Sequence, residues 1–244
     1  MSTDELEQAL ALTKENDTSD EEHKILEGIV KFGSTEVRQI MKSRMDVHAI
    51  ELDRPTADFT QGPAMNEAEV ASALSIGWNA VDPDSDILVT GEMGIGNTTP
   101  AAALVGLLAD VEPGRVVGRG TGIDDITWMR KTAAVRAAMR RGRPVKGDPV
   151  GLLATSAGPD LAATTGFLLQ SAARRTPVLL DGVISCACAL VAHRVAFRAS
   201  QWWCASHRST EPAASAALAR LGLEPLLDLQ MRLGEGSGAL LALP

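Results

Sequence analysis

The chain has 244 residues, 45% of them hydrophobic and 22% charged, a balance that excludes wholesale disorder. Its net charge of -8 argues against a general nucleic-acid binder, which needs a basic field. Aromatic residues make up 3% and Tyr is absent, which argues against a base-stacking platform, and Ala, Leu, Val and Gly must build the core.

The start, MSTDELEQAL, is acidic and amphipathic and lacks the basic head and apolar run of a signal peptide. No stretch reaches the ~18 apolar residues of a spanning helix. The longest, Gly182 to Ala192, is fenced by Asp181 and by His193 and Arg194. A cytoplasmic protein without membrane contact is the expectation. Cys186, Cys188 and Cys204 read as reduced, buried small hydrophobes, since no CxxC pair suggests a metal.

Composition shifts near residue 53. Residues 1–52 carry dense charge and no Pro. They read as short helices: Glu5 to Lys14 capped by Asp4, a second opened by a Ser19–Glu22 capping box, and a third from Thr35 to Met41. Residues 53–244 alternate strand and helix. Asn66 and Glu69 cap a helix presenting Val70, Leu74 and Trp78. Ile87 to Thr90 is a short buried strand. Helices follow over Thr98–Ala109, Asp124–Arg141 and Gly158–Arg175, then a strand over Val178–Leu180. An apolar helix covers Gly182–His193, and a last one runs from Thr210 to Gly222. The implied class is α/β: a parallel, Rossmann-like sheet with helices on both faces, preceded by a short all-α segment. Ligands of such sheets sit beyond the carboxyl ends of the strands.

Three glycine-rich loops carry the chemistry. In GEMGIGNTTP (91–100) a strand runs through three glycines into a helix start. Such a turn aims backbone N–H groups at an anion and adds the positive end of a helix dipole. Gly91 and Gly96 have P-loop spacing, but Asn97 stands where its lysine should be, and Thr99 replaces the third glycine of a dinucleotide fingerprint. The turn therefore reads as a monophosphate cradle around Gly94, Gly96 and Asn97, or else as a tight structural turn. A second loop, VVGRGTGIDD (116–125), offers Gly120 and Gly122 to the same anion or is an ordinary turn. Lys131, two turns into the next helix, either faces the anion or is solvated. In the third loop, RLGEGSG (232–238), Glu235 sits between two glycines, as a general base on open backbone or as an exposed turn residue. Asp181 follows a buried strand towards the ligand edge. Ser209 or Thr210 caps a helix, and His207 is a structural histidine or a catalyst.

Together these loops resemble one family. Residues 53–244 resemble nicotinate-nucleotide:dimethylbenzimidazole phosphoribosyltransferase, through ADFTQGPAM (57–65), GEMGIGNTTPAAAL (91–104), VGRGTGIDD (117–125), LLDGVIS (179–185), HRSTEP (207–212) and LLDLQMRLGEGSGALLAL (226–243). The resemblance implies transfer of ribose phosphate from nicotinate mononucleotide to 5,6-dimethylbenzimidazole, giving α-ribazole 5′-phosphate and nicotinate. It implies Glu235 as general base. Gly94, Gly96, Asn97 and Gly122 would hold the 5′-phosphate, with Lys131, Ser209 and the neighbouring Gly120. Glu92 and Asp181 match acidic positions of the pocket. No cofactor or metal is implied, because cationic nicotinate already leaves readily, and the family works as a homodimer. Its members are longer, with further N-terminal blocks that shape the benzimidazole pocket. Residues 1–52 instead resemble the cytoplasmic stretch before the paired CBS domains of hemolysin-type (CorC-like) transporters, most specifically in VRQIMKSRMDV. A module that binds a nucleotide phosphate without catalysis is the alternative reading.

Overall fold

The computed structural model describes Leu52 and residues 55–243 apart from Thr121. The helices expected before residue 52 lie outside the described residues. All described elements belong to one compact unit, Glu51–Pro244.

The first element, helix α1 (Glu67–Asn79), starts where the sequence places it. Asn66 Oδ1 accepts from the Glu69 amide at 2.9 Å, and Glu69 Oε2 accepts from the Asn66 amide at 2.9 Å, so two orphan donors are satisfied reciprocally. Strand β1 (Leu88–Val89) leads through the first glycine turn into α2 (Thr98–Leu108), which is buried from Pro100 onward. A single turn, α3 (Pro113–Val116), precedes the second glycine loop. Helix α4 (Asp125–Gly142) is capped by Asp124, whose Oδ1 accepts from the Thr127 amide at 2.7 Å. Helices α5 (Pro149–Ser156) and α6 (Pro159–Arg174) both open on proline, which fits the first turn because no helical N–H is lost there. Strand β2 (Val178–Leu180), helix α7 (Gly182–Val195), strand β3 (Trp203–His207), helix α8 (Pro212–Leu221), strand β4 (Pro225–Leu227) and the short α9 (Ser237–Leu241) complete the order.

The four strands form one parallel sheet in the order β1-β2-β3-β4. Val89 pairs with Leu179, Leu179 with Cys204, and His207 with Leu227. The parallel α/β class expected from the alternation is therefore present, with two more strands than the hydrophobic runs announce. β3 reads WCASH, with no branched aliphatic residue, and β4 has only three residues. Helix α8 starts at Pro212 rather than Thr210, with Glu211 at its N-cap. Helix α5 replaces a stretch that the sequence left unassigned.

Small residues let the helices approach closely. A methyl group at Gly77 of α1 would lie 1.7 Å from the Ala163 carbonyl oxygen of α6, and one at Gly166 of α6 would lie 2.1 Å from the Leu74 carbonyl oxygen of α1. The core beneath is aliphatic: Leu104, Leu152, Leu153, Leu161, Leu168 and Leu180 are fully buried, each side chain contributing about 1.5–3 kcal/mol by leaving water. Cys186 and Cys188 are buried free thiols within α7, as read from the sequence, whereas Cys204 is exposed on β3. Burial and the Asp181 charge push the Cys186 thiol up to about 12, so it stays protonated and inert. Among the described residues no helix is long and apolar enough to cross a membrane.

Candidate active site

Of the three glycine loops, those at 91–100 and 232–238 follow the carboxyl ends of β1 and β4, whereas the loop 116–125 follows α3. β1 ends at Val89 and runs into Gly91; β2 ends at Leu180 and runs into Asp181; β3 ends at His207 and runs into Ser209 and Glu211. The loop after β4 returns through Met231, whose carbonyl accepts from the Thr210 amide at 3.1 Å, and reaches Glu235.

Gly91 touches the loop of Glu235. A methyl group on Gly91 would lie 2.9 Å from the Glu235 carbonyl carbon and oxygen and 3.1 Å from the Gly236 nitrogen. Only glycine permits this approach. Gly234, Glu235 and Gly236 have φ of 75°, 58° and 80° in succession. For the glycines this is cheap; for Glu235 the left-handed conformation costs about 1–2 kcal/mol. Asp181 holds the loop there. It is buried, and its Oδ2 accepts from the Gly236 amide at 3.0 Å while Oδ1 accepts from the Ala239 amide at 2.9 Å. The Glu235 side chain itself is exposed.

The far end of the first glycine turn opens α2. The side chain of Asn97, at the N-cap, makes no capping bond. Among the described residues the amides of Gly96, Asn97 and Thr98 meet no acceptor. Gly96, at φ 83°, has nothing within 4 Å of where a side chain would point. Free amides at a helix start, beside the open space at Gly96, are an arrangement that can accept an anion. The amides of the other predicted phosphate glycines are already used. Gly94 donates to Glu92 Oε1 at 2.9 Å, Gly120 to Glu211 Oε1 at 2.7 Å, and Gly122 to the Arg119 carbonyl at 2.9 Å. These three glycines shape the loops rather than present free amides.

Lys131 reaches the same end. Its Nζ donates to Thr98 Oγ1 at 2.8 Å and to the Gly118 carbonyl at 3.2 Å, so it sits over the first turn of α2. Burial lowers its pKa, and the Glu211 charge opposes that shift. Glu211 is a site residue the sequence reading missed. It is buried, and its carboxylate lies so close to Gly118 that a methyl group there would be 2.2 Å from Oε2. Ahead of Pro212 it looks like an ordinary acidic residue at a helix start, and only the fold brings the 118–120 loop to it. Ser209 is buried too, and its Oγ accepts from the Glu211 amide at 3.2 Å, so it braces Glu211.

Glu92 lies between the two ends. Its Oε1 accepts from Gly94, and its Oε2 is buried with no partner among the described residues. Burial raises its pKa, and the Asp160 and Glu235 carboxylates add to the rise. Asp160 is likewise raised by burial and has an unpartnered Oδ1. One edge of the sheet thus carries three free helix-start amides beside a lysine, a half-buried carboxyl group, and an exposed carboxylate on strained backbone.

A family profile described as phosphoribosyltransferase matches residues 23–244. The nicotinate-nucleotide–dimethylbenzimidazole phosphoribosyltransferase of Mycobacterium tuberculosis is 53% identical over 207 residues, which is 83% of this chain and 57% of that protein. The enzyme of the same name from Mycobacterium avium is 54% identical over 202 residues, 81% of this chain and 58% of that protein. The crystal structure of CobT from Thermus thermophilus superposes with a TM-score of 0.73 at 40% identity, over 80% of this chain and 63% of that one. The chain spans less than two thirds of the length of these proteins.

Proposed function

We propose, because the chain belongs to the phosphoribosyltransferase family, that it transfers the 5-phosphoribosyl group of nicotinate mononucleotide to 5,6-dimethylbenzimidazole. The products are α-ribazole 5′-phosphate and nicotinate, a step of cobalamin nucleotide-loop assembly. The named relatives carry this activity in their names, and the arrangement of the site supports it. The observation that carries the reading is the turn 91–97. One end packs against the peptide of Glu235, and the other presents the free amides of Gly96, Asn97 and Thr98. A substrate with a phosphate at one end and a reacting carbon some atoms away spans such a turn.

In this reading the 5′-phosphate sits on those amides under the Lys131 ammonium. Glu235 takes the proton from one benzimidazole nitrogen. The other nitrogen attacks the anomeric carbon from the face opposite nicotinate. The bond from that carbon to the pyridinium nitrogen breaks, its electron pair neutralises the ring, and configuration inverts from β to α. Residues 53–244 are the domain we assign to this chemistry; the family match begins earlier, at residue 23. We also place the protein in the cytoplasm as a homodimer. The exposed Met93 and Ile95 on the first glycine turn, 73% and 104% accessible, suit a covering partner.

The alternative, a module that binds the phosphate without turnover, draws support from the exposure of Glu235. Calorimetry with nicotinate mononucleotide, beside an assay with dimethylbenzimidazole, separates the two. Glu235→Gln is expected to lower kcat by about 10² to 10⁴, the contribution of one placed base, with nucleotide affinity nearly unchanged. Equal turnover of wild type and variant removes Glu235 from the reaction. Binding without turnover in the wild type favours the alternative.

A further inference from the structure

The geometry points to a buried Ser206–His207–Asp181 group as the device that positions Glu235, a role that rests on the reading of Glu235 as the base. All three residues are almost wholly inaccessible: Ser206 at 0%, His207 at 2% and Asp181 at 4%. Ser206 is hydrogen-bonded to His207, and His207 lies beside Asp181 at 3.6 Å.

The order of donation follows from the chemistry of the partners. Ser206 Oγ lies 2.7 Å from the Leu180 carbonyl oxygen, which only accepts, so the serine hydroxyl donates to it. The serine oxygen then presents lone pairs to His207 Nδ1 at 3.0 Å. Nδ1 must therefore carry the proton. The same Nδ1 lies 3.6 Å from Asp181 Oδ1, which directs its positive edge at that carboxylate. Asp181 in turn accepts from the amides of Gly236 and Ala239, the first of which directly follows Glu235. The imidazole also forms the floor of α9. A methyl group on Gly238 would lie 2.0 Å from His207 Nδ1, so the first turn of α9 rests directly on the ring.

This places Asp181 behind the base rather than against substrate. Its carboxylate charge anchors three consecutive left-handed residues, and the protonated Nδ1 of His207 keeps that charge aimed at the amides. His207 Nε2 is buried without a partner among the described residues, so it adds no competing tether to the ring. A core histidine of purely structural use needs no such ordered donation towards the strained loop.

The test compares two shape-matched variants of the full chain. His207→Leu removes the donor; His207→Asn returns an N–H where Nδ1 stood. With nicotinate mononucleotide and dimethylbenzimidazole, His207→Leu is expected to lose at least about tenfold in kcat, with KM for the nucleotide within about threefold of wild type. His207→Asn is expected to recover most of that loss. An unchanged kcat in His207→Leu, or no recovery in His207→Asn, overturns the proposal.

Two readouts do not need turnover. Nitrogen-15 spectra of histidine-labelled wild type should show His207 protonated at Nδ1 and bare at Nε2; the opposite tautomer overturns the assignment. Hydrogen exchange at Gly236 and Ala239 should accelerate in Asp181→Asn and in His207→Leu while the α2 amides of Leu104 and Val105 keep their rates. Uniform acceleration, or none, refutes it. Should wild type bind nucleotide yet fail to turn over, Glu235 as base fails, while these two readouts still decide whether the group positions the loop. Should His207→Leu not fold, the tautomer and Asp181→Asn decide.

Discussion

Gly91→Ala isolates the contact that joins the two halves of the site. The added methyl would lie 2.9 Å from the carbonyl carbon and oxygen of Glu235, whereas ordinary contact begins near 3.4 Å, so roughly 0.5 Å must open between the loops. No flexible side chain can absorb the movement, because the nearest atoms are all backbone. One of the two loops has to shift. Overpacking of this kind costs about 1–3 kcal/mol, which in a chain of this size lowers Tm by about 2–12 °C. The functional effect is the sharper one. A general base displaced by a sizeable fraction of an ångström loses much of the benefit of its placement, and about 10- to 100-fold in kcat is expected. The phosphate seat begins five residues further on, so the affinity for nicotinate mononucleotide should stay within about threefold. Gly114→Ala is the control, since no atom lies within 4 Å of its added methyl. Calorimetry, a thermal melt and the transfer assay together read the outcome. Wild-type kcat and Tm in Gly91→Ala would show that the loops are not in contact and would remove the geometric link between base and cradle.

Lys131→Met should weaken nicotinate mononucleotide binding by about 10- to 150-fold, the worth of a charge-assisted bond of about 1.5–3 kcal/mol, with less change in kcat. Because burial lowers the Lys131 pKa from 10.5, the protonated lysine is lost at a lower pH than an ordinary one. Affinity of the wild type should fall as pH rises through that lowered value, and the variant should show no such fall in calorimetry across the same series. Gly166→Ala sets two effects against each other: helix propensity favours Ala by about 1 kcal/mol, but the methyl would sit 2.1 Å from the Leu74 carbonyl oxygen. Packing should win, with a net loss of stability in denaturant melts; a gain would show that α1 and α6 separate freely.

What the sequence disclosed followed from how each feature is encoded. Helix starts were legible because caps are local: Asn66 with Glu69, Asp124 with Thr127, and proline at Pro159 all act within one turn of where they stand. β1 and β2 were legible because their residues are apolar, although β1 is only Leu88–Val89, with Ile87 exposed and Val89 half-buried. β3 was not, because WCASH is held in the sheet by its neighbours: Leu179 and Leu180 on one side and Pro225 and Leu227 on the other. The glycine loops suggested an anion seat through their spacing. Which amides stay free was a different matter. Gly94 and Gly120 lose theirs to Glu92 and Glu211, and the second of these partners lies 91 residues away in sequence.

The same distinction separates the groups expected to react from those that place them. Glu235 and Lys131 stood out because a lone carboxylate between glycines and a lysine after a glycine loop are local patterns. Their supports come from other strands. Lys131 rests on Thr98, Glu235 on Asp181 through the amides of Gly236 and Ala239, and Gly120 on Glu211. A parallel sheet brings successive strand ends to one edge, so residues far apart in the chain become neighbours only once the crossovers are in place. The residues following β1, β2 and β3 here are Thr90, Asp181 and Arg208, and only the second projects a carboxylate inward. That position, directly after a buried strand and buried itself, lets a single side chain hold the β4 return loop through the amides of Gly236 and Ala239, where Gly91 packs against it. The site's precision therefore resides less in its reacting groups than in one acid at the end of β2 and in the glycines that let three loops close around it.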